Sequence, residues 1–401
     1  MNDDSPTLRE FGWDAPRAVA FAPYLKKGYE PARVVVELRR HYYAVQTSGA
    51  ELLGECTGRF HHQAATAVAA SANAGYPAVG DWVAVSRLPD GRRAHIHALL
   101  PRRTVFSRRA AGEEEAEQII AANIDTVFLV SGLDRNHNPA RIQRFLVAAK
   151  ESGAEPVIIL NKCDLLANPG AANAARKEIE ALLPGVPVLV TSAGTGKGLR
   201  ILQRYARPGR TLAFVGSSGV GKSSLINALA CDAGNEDADA LPTADVREKD
   251  SKGRHTTTRR ELVVSRSGAL VIDTPGLREL RLRDADAGLE EAFADIAALA
   301  VRCKFGRCRH ENEPGCAVRA AIETGALVLE RLAAWRKLKA EQAAARPRQK
   351  KPSALAGKPG WRRRAAEGDR PARGRRDWTA EFSPRPPPPL PLCRASCRSS
   401  G

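Results

Sequence analysis

The sequence predicts three folded regions in series: a small β-barrel, a parallel α/β domain and a cysteine-rich helical region, followed by a disordered tail. Three observations carry that reading. Short β-rich runs between glycines fill the first hundred residues, apolar strands alternate with amphipathic helices through the middle, and Cys303, Cys308, His310 and Cys316 crowd one short window. Length agrees, because 401 residues exceed what one hydrophobic core organises and 43% apolar residues can fill several. Lys and Arg outnumber Asp and Glu, 62 to 45, and of the net +17, +10 falls in the last 61 residues. The excess is therefore concentrated in the tail, and a basic balance of this size points to a polyanionic partner. The acidic start MNDDSPTLRE lacks the basic and apolar pattern of a secretory signal. No run approaches the roughly 18 apolar residues of a membrane span. The expectation is a cytoplasmic protein without membrane contact, acting as a monomer, in which cysteines serve metal binding better than disulfides.

Taken in order, residues 1–29 lack periodicity and are expected to form a flexible arm. Residues 30–108 hold the runs VVVEL, YYAV and WVAV between glycines, which suits an oligonucleotide-binding (OB) barrel. Its exit strand carries Arg92, Arg93, Arg102, Arg103, Arg108 and Arg109 around Phe106, with His95 and His97 interleaved. That set is expected to contact nucleic acid, the alternative being a solvated edge strand. Residues 109–283 alternate strand and helix, the pattern of a parallel sheet covered on both faces. Residues 284–342 are helical around the Cys/His window, and residues 343–401 are too rich in Pro, Gly and Arg to bury a core.

Between the apolar strand TLAFV and the helix SLINALA stands Gly216-Ser217-Ser218-Gly219-Val220-Gly221-Lys222-Ser223, a phosphate loop, with Ser224 following. Its glycines let backbone N–H groups turn toward phosphate oxygens. Lys222 is expected to neutralise the β- and γ-phosphates and Ser223 to ligate Mg²⁺. Further on, the strand LVID ends in Asp273, a carboxylate suited to ordering the magnesium shell, and Gly276 follows within reach of a γ-phosphate.

Asn161-Lys162-Cys163-Asp164 ends the apolar strand VIIL. A carboxylate at Asp164 accepts from both N1–H and the exocyclic amine of guanine; adenine has no N1–H, so a buried Asp164 would reject ATP. Asn161 is expected to pair with base and loop, Lys162 to lie across the ring, and Thr191-Ser192-Ala193 to offer a backbone contact, chiefly from Ser192 and Ala193. These base-reading segments precede the phosphate loop, the reverse of the usual order, which marks a circular permutation of a GTPase. In the Cys/His window, Cys303, Cys308, His310 and Cys316 supply three thiolates and an imidazole within 14 residues, a closed tetrahedral set for structural Zn²⁺. Lys304, Arg307, Arg309 and Arg319 surround it and make RNA contact an expectation.

The segments NKCD, TSAGTGKG, GSSGVGKSS, GRHTTTRREL and DTPG and the Cys/His window together resemble the bacterial ribosome small-subunit-dependent GTPases, the RsgA or YjeQ family, over about residues 30–342. The resemblance implies a multidomain protein: an N-terminal OB-type barrel, a central circularly permuted α/β P-loop GTPase, a C-terminal α-helical zinc-binding region and a disordered tail. It implies an enzyme that binds the small ribosomal subunit and its rRNA late in maturation, is stimulated by it, hydrolyses GTP to GDP with Mg²⁺, and leaves afterwards. The position after Asp273-Thr274-Pro275-Gly276 is Leu277, which cannot orient water as a glutamine does. By resemblance, His255 is the candidate catalytic group, and Thr257 the candidate cover for Mg²⁺ and γ-phosphate. Leu277 keeps open a second reading, an RNA-binding module whose nucleotide only locks conformation.

Overall fold

The computed structural model describes residues 7–38, 41–67, 75–109, 117–134, 137–230, 260–273 and 286–345. The stretches holding His255, Thr257, Gly276 and Leu277, and the whole of residues 348–401, lie outside them.

The barrel closes as expected. Strand β1 (Glu30–Glu37) pairs antiparallel with β2 (Tyr42–Gln46), β2 with β3 (Glu51–Cys56), β3 runs parallel to β5 (Arg93–Leu99), β5 pairs with β4 (Trp82–Arg87), and β4 returns to β1. The order 1-2-3-5-4-1 is that of an OB barrel. Alternate residues of each strand, Val34, Tyr43, Val45, Leu52, Val83, Val85 and Ile96 among them, fill the interior, and helix α2 (Gly58–Ala67) adds Phe60 and Ala64.

Two expectations about this region are corrected. The segment read as a loose arm contains helix α1 (Ala15–Leu25), whose N-cap Asp14 accepts from the Arg17 amide. It is held down by Phe21, 3% exposed, and by Trp13 packing edge-on against Trp82 at 4.8 Å. Part of the Arg and aromatic set read as a nucleic-acid platform serves the fold, while Arg92 stays exposed. Phe106 is 1% exposed, Arg102 is sealed in an ion pair with Asp81 at 2.6 Å, and Arg103 pairs with Asp14 at 2.6 Å. His97 stacks on Tyr29. A buried guanidinium needs such a partner, because unpaired charge in a core costs several kcal/mol.

The α/β domain begins after the hairpin β6 (Val105–Arg109) and β7 (Glu117–Ala122). Its parallel strands are β8 (Thr126–Gly132), β9 (Glu155–Asn161), β10 (Val188–Val190), β11 (Thr211–Val215) and β13 (Leu270–Asp273). The sheet runs β10-β9-β8-β11-β13, and β12 (Arg260–Val264) is added antiparallel beside β13. Along β8, Val127 and Leu129 enter one core while Phe128 and Val130 enter the other, so both faces are buried. Helices α3 (Pro139–Ser152), α4 (Pro169–Leu182), α5 (Leu199–Leu202) and α6 (Lys222–Ala230) follow β8, β9, β10 and β11 respectively.

Barrel and α/β domain share one sheet. Strand β12 pairs with β1 through Val36 against Glu261 and Glu37 against Arg260, and the Arg260 guanidinium meets the Glu37 carboxylate at 2.6 Å. Arg33, fully buried, donates to Thr211 Oγ1 at 2.8 Å and to the Phe11 carbonyl, tying β1, the N-terminal segment and the start of β11 together. Burial pulls its pKa down to about 9.

The C-terminal region consists of α7 (Asp286–Ala292), α8 (Ala294–Ala300), α9 (Ala317–Glu323) and α10 (Leu329–Ala345). It is seated on the α/β domain. Arg331, 3% exposed, pairs with Asp295 at 2.6 Å, lies 4.7 Å from the Phe293 ring and donates to the Leu182 carbonyl at the end of α4. Helix α3 meets it as well, through Lys150 with Glu291 at 2.9 Å and Arg144 with Glu341 at 2.7 Å.

Candidate nucleotide site and metal centre

Parallel strands point their C-terminal ends to one edge, which is where open α/β sheets hold ligands. Strand β9 delivers Asn161 to Asp164 there, β10 delivers Thr191 to Ala193, and β11 delivers the phosphate loop. The loop turns through Gly219 at φ +78° and Gly221 at φ +92°, conformations that only glycine adopts cheaply. A side chain on Gly221 would also run into the Asn161 amide. Val220 is buried and pins the loop to the core, whereas Ser218, Gly219 and Ser223 are exposed and Ser224 is half-buried. Lys222 opens α6, and its ammonium donates to the carbonyls of Gly216 at 2.8 Å and Ser217 at 2.7 Å. A cation is thus suspended over the loop from inside it.

Asn161 joins the two halves of the site. Only 1% exposed, it donates from Nδ2 to the Val220 carbonyl of the phosphate loop at 2.9 Å. Its Oδ1 accepts from Thr191 Oγ1 and from the Ala193 amide, both at 3.1 Å. The base-reading loops and the phosphate loop are therefore parts of one pocket. Lys162, at φ +64°, turns the chain into the short 3₁₀ segment Cys163–Leu165 and pairs through Nζ with Asp134 at 2.7 Å. Ser192 is buried and its hydroxyl accepts from the Thr195 amide at 3.1 Å. Asp164 is exposed at the rim, not buried as the base-reading argument pictured it. The backbone of Asp273 ends β13 beside β11 and opposite Glu261.

Sequence reasoning missed two side chains here. Asp134 lies just past β8, and Arg141, on the first turn of α3, donates through Nη1 to Ser217 Oγ of the phosphate loop at 2.6 Å. No motif announced either; the only local signal was the helix start Asn138-Pro139, whose Asn138 caps the Arg141 amide at 3.0 Å.

All four predicted metal ligands converge: the donor atoms of Cys303, Cys308, His310 and Cys316 lie within 4.8 Å of one another. Cys303 and Cys316 sulfurs are 3.9 Å apart, and His310 Nδ1 is 3.6 and 3.4 Å from them. The Zn–S bond length of about 2.3 Å gives a tetrahedron with edges of about 3.8 Å, so the donor set fits zinc with no room for a fifth group. The turn is built for it. His310 sits at φ +60° and Gly315 at φ +73°, the Lys304 amide donates to the Gly315 carbonyl at 3.1 Å, and Cys316 also caps α9 by accepting from the Arg319 amide. Burial, and next the charge of Arg336, hold the His310 imidazole below its ordinary pKa, which favours the neutral ligating form. Lys304, Arg307 and Arg309 are exposed around the turn.

A family model described as RsgA GTPase matches residues 99–283. The chain is 46% identical over 346 residues to the small ribosomal subunit biogenesis GTPase RsgA of Opitutus terrae, covering 84% of this chain and 90% of that protein. It is 42% identical over 334 residues to the RsgA of Streptomyces coelicolor, covering 83% and 86%. Among solved structures, YjeQ from Thermotoga maritima superposes with a TM-score of 0.59 at 27% identity, over 79% of this chain and all of that one. YloQ, described as a circularly permuted GTPase, gives 0.56 at 26%, over 80% and 97%. With the permuted strand order and the bridged pocket, these likenesses make the chain a member of the RsgA family of GTPases.

Proposed function

We propose that this chain binds GTP with Mg²⁺ in the pocket at the strand edge, hydrolyses it in response to the small ribosomal subunit, and thereby acts late in that subunit's maturation. The observation that carries this reading is the hydrogen-bonded bridge from Val220 through Asn161 to Ala193, which gives base and polyphosphate a common enclosure. With nucleotide bound, loop amides from Gly216 to Ser224 and the Lys222 ammonium would cradle the phosphates, the Ser223 hydroxyl and Asp273 would serve Mg²⁺, and Asp164 would read guanine from the rim. By the family resemblance, His255 would orient the attacking water in place of a glutamine, Thr257 would cover Mg²⁺, and Gly276 would meet the γ-phosphate. The Cys303, Cys308, His310 and Cys316 turn holds one structural Zn²⁺, which when bound fixes the fold and supplies no open coordination position.

Domain roles follow the proposed partition, barrel 30–108, GTPase 109–283 and zinc region 284–342, amended by the helical segment α1 before the barrel and by α10, which runs on to Ala345. The zinc turn offers exposed Lys304, Arg307 and Arg309 to rRNA, a partner that a net charge of +17 suits. Barrel contact with rRNA falls to exposed positions such as Arg92, since Arg102 and Phe106 are spoken for. Among the described residues no helix is long and apolar enough to cross a membrane, and a cytoplasmic monomer is the working form. The test is GTP turnover by the purified chain with and without purified small subunits. Strong stimulation is expected; turnover that stays at background in both arms would leave an RNA-binding module in which nucleotide only locks shape.

A further inference from the structure

Besides Lys222, a cation that no phosphate-loop motif specifies reaches the loop. Lys222 and Arg141 converge on one residue, Ser217: the ammonium takes its carbonyl at 2.7 Å and the guanidinium takes its hydroxyl at 2.6 Å. Arg141 comes from outside the loop. Its backbone is fixed by the Asn138 cap and by Pro139 at the helix start, and the next turns of α3 are sunk in the core through Ile142, Phe145 and Leu146. Ser217 is half-buried, directly before the exposed Ser218 and Gly219. A guanidinium delivered from a rigid helix to the first turn of a glycine-rich loop can restrict that turn before any phosphate arrives.

We propose that Arg141 is a positioning residue for nucleotide binding: through Ser217 it holds the phosphate loop in the conformation that directs its amides at the polyphosphate. The proposal rests on the GTP assignment above. Since Arg141 acts on the loop and not on the γ-phosphate, it supports GTP and GDP alike, so its loss raises KM without slowing the chemical step.

The experiment compares Arg141→Ala, Arg141→Lys, Ser217→Ala and the Arg141→Ala/Ser217→Ala double variant in the full zinc-loaded chain, with GTP and GDP affinity read by titration and turnover by phosphate release. Arg141→Ala is expected to weaken GTP and GDP together by about tenfold, the scale of one charged hydrogen bond, with kcat within about twofold. Arg141→Lys should recover part of that. Ser217→Ala should match Arg141→Ala, and the double variant should add nothing further, because both remove the same bond. Nucleotide affinity unchanged in both single variants, or losses that add in the double one, would overturn the proposal. So would a loss confined to GTP, which would mean direct contact with the γ-phosphate. Should Arg141→Ala fail to fold, Ser217→Ala and Arg141→Lys carry the same comparison. Failure of the unaltered chain to bind GTP would instead strike the assignment of the pocket itself.

Discussion

The nucleotide pocket and the zinc turn hold their functional groups in opposite ways. The pocket draws on three strand ends and a helix start, with Arg141, Asn161, Ala193 and Ser217 spread over 77 positions of sequence, and its parts are locked by backbone and side-chain hydrogen bonds of the chain itself. The zinc turn draws on 14 consecutive positions; its backbone is braced by the Glu313 carboxylate and by Arg336, and its four donors face one another around the space a metal ion would fill. The difference teaches where each site stores its stability: in the surrounding sheet for the first, and for the second in a short local turn that a bound zinc ion would complete.

Zinc removal should give the largest effect. Binding free energy at a structural zinc is folding free energy, on the order of 10 kcal/mol. Prolonged chelation is therefore expected to melt the helical signal of residues 286–345 while GTP affinity changes by less than about twofold. Circular dichroism with parallel nucleotide titration checks this; helices that persist without metal would break the contrast.

Next comes Lys222→Ala. Deleting the loop cation should lower GTP turnover by about 100-fold or more, as loss of one strong charge-stabilising donor does, while the thermal midpoint stays nearly fixed because the sheet supplies the stability. A drop in the midpoint as large as that on zinc removal would show the pocket to be as brittle as the turn. The smallest change is expected from Asp164→Asn, which should weaken GTP by about tenfold and improve xanthosine triphosphate, since the amide pairs with the oxygen that replaces the guanine amine. Competition binding measures it, and an unaltered preference would remove Asp164 from base reading.

The same contrast explains what could be read from sequence. The convergence of Cys303, Cys308, His310 and Cys316 was legible because a contiguous turn writes its chemistry in one window. The phosphate loop and Asn161 were legible for a related reason: each motif is local, and only their meeting is not. Arg141 and Asp134 were not legible, because their partners Ser217 and Lys162 lie 76 and 28 residues away and no spacing rule connects them. Arg102 misled for the same cause. Its partner Asp81 stands 21 residues earlier, and without that pairing an arginine beside an aromatic resembles a surface for RNA. The arm was a different failure, since Asp14 and Pro16 do write a helix start, but only Phe21 of α1 is buried and the apolar periodicity is faint. Strand alternation announced the parallel sheet; nothing announced that β12 would carry it into the barrel.

That join alters how the molecule can move. Strand β12 is stitched on one side to the barrel's first strand and on the other to β13 of the α/β domain. The seam belongs to both bodies at once. Rotating the barrel against the α/β domain would therefore have to break or carry the ladder hydrogen bonds of β12. Grafting an unrelated barrel onto this chain would strip β12 of one neighbour, while the parallel strands that carry the nucleotide loops would keep their own pairing.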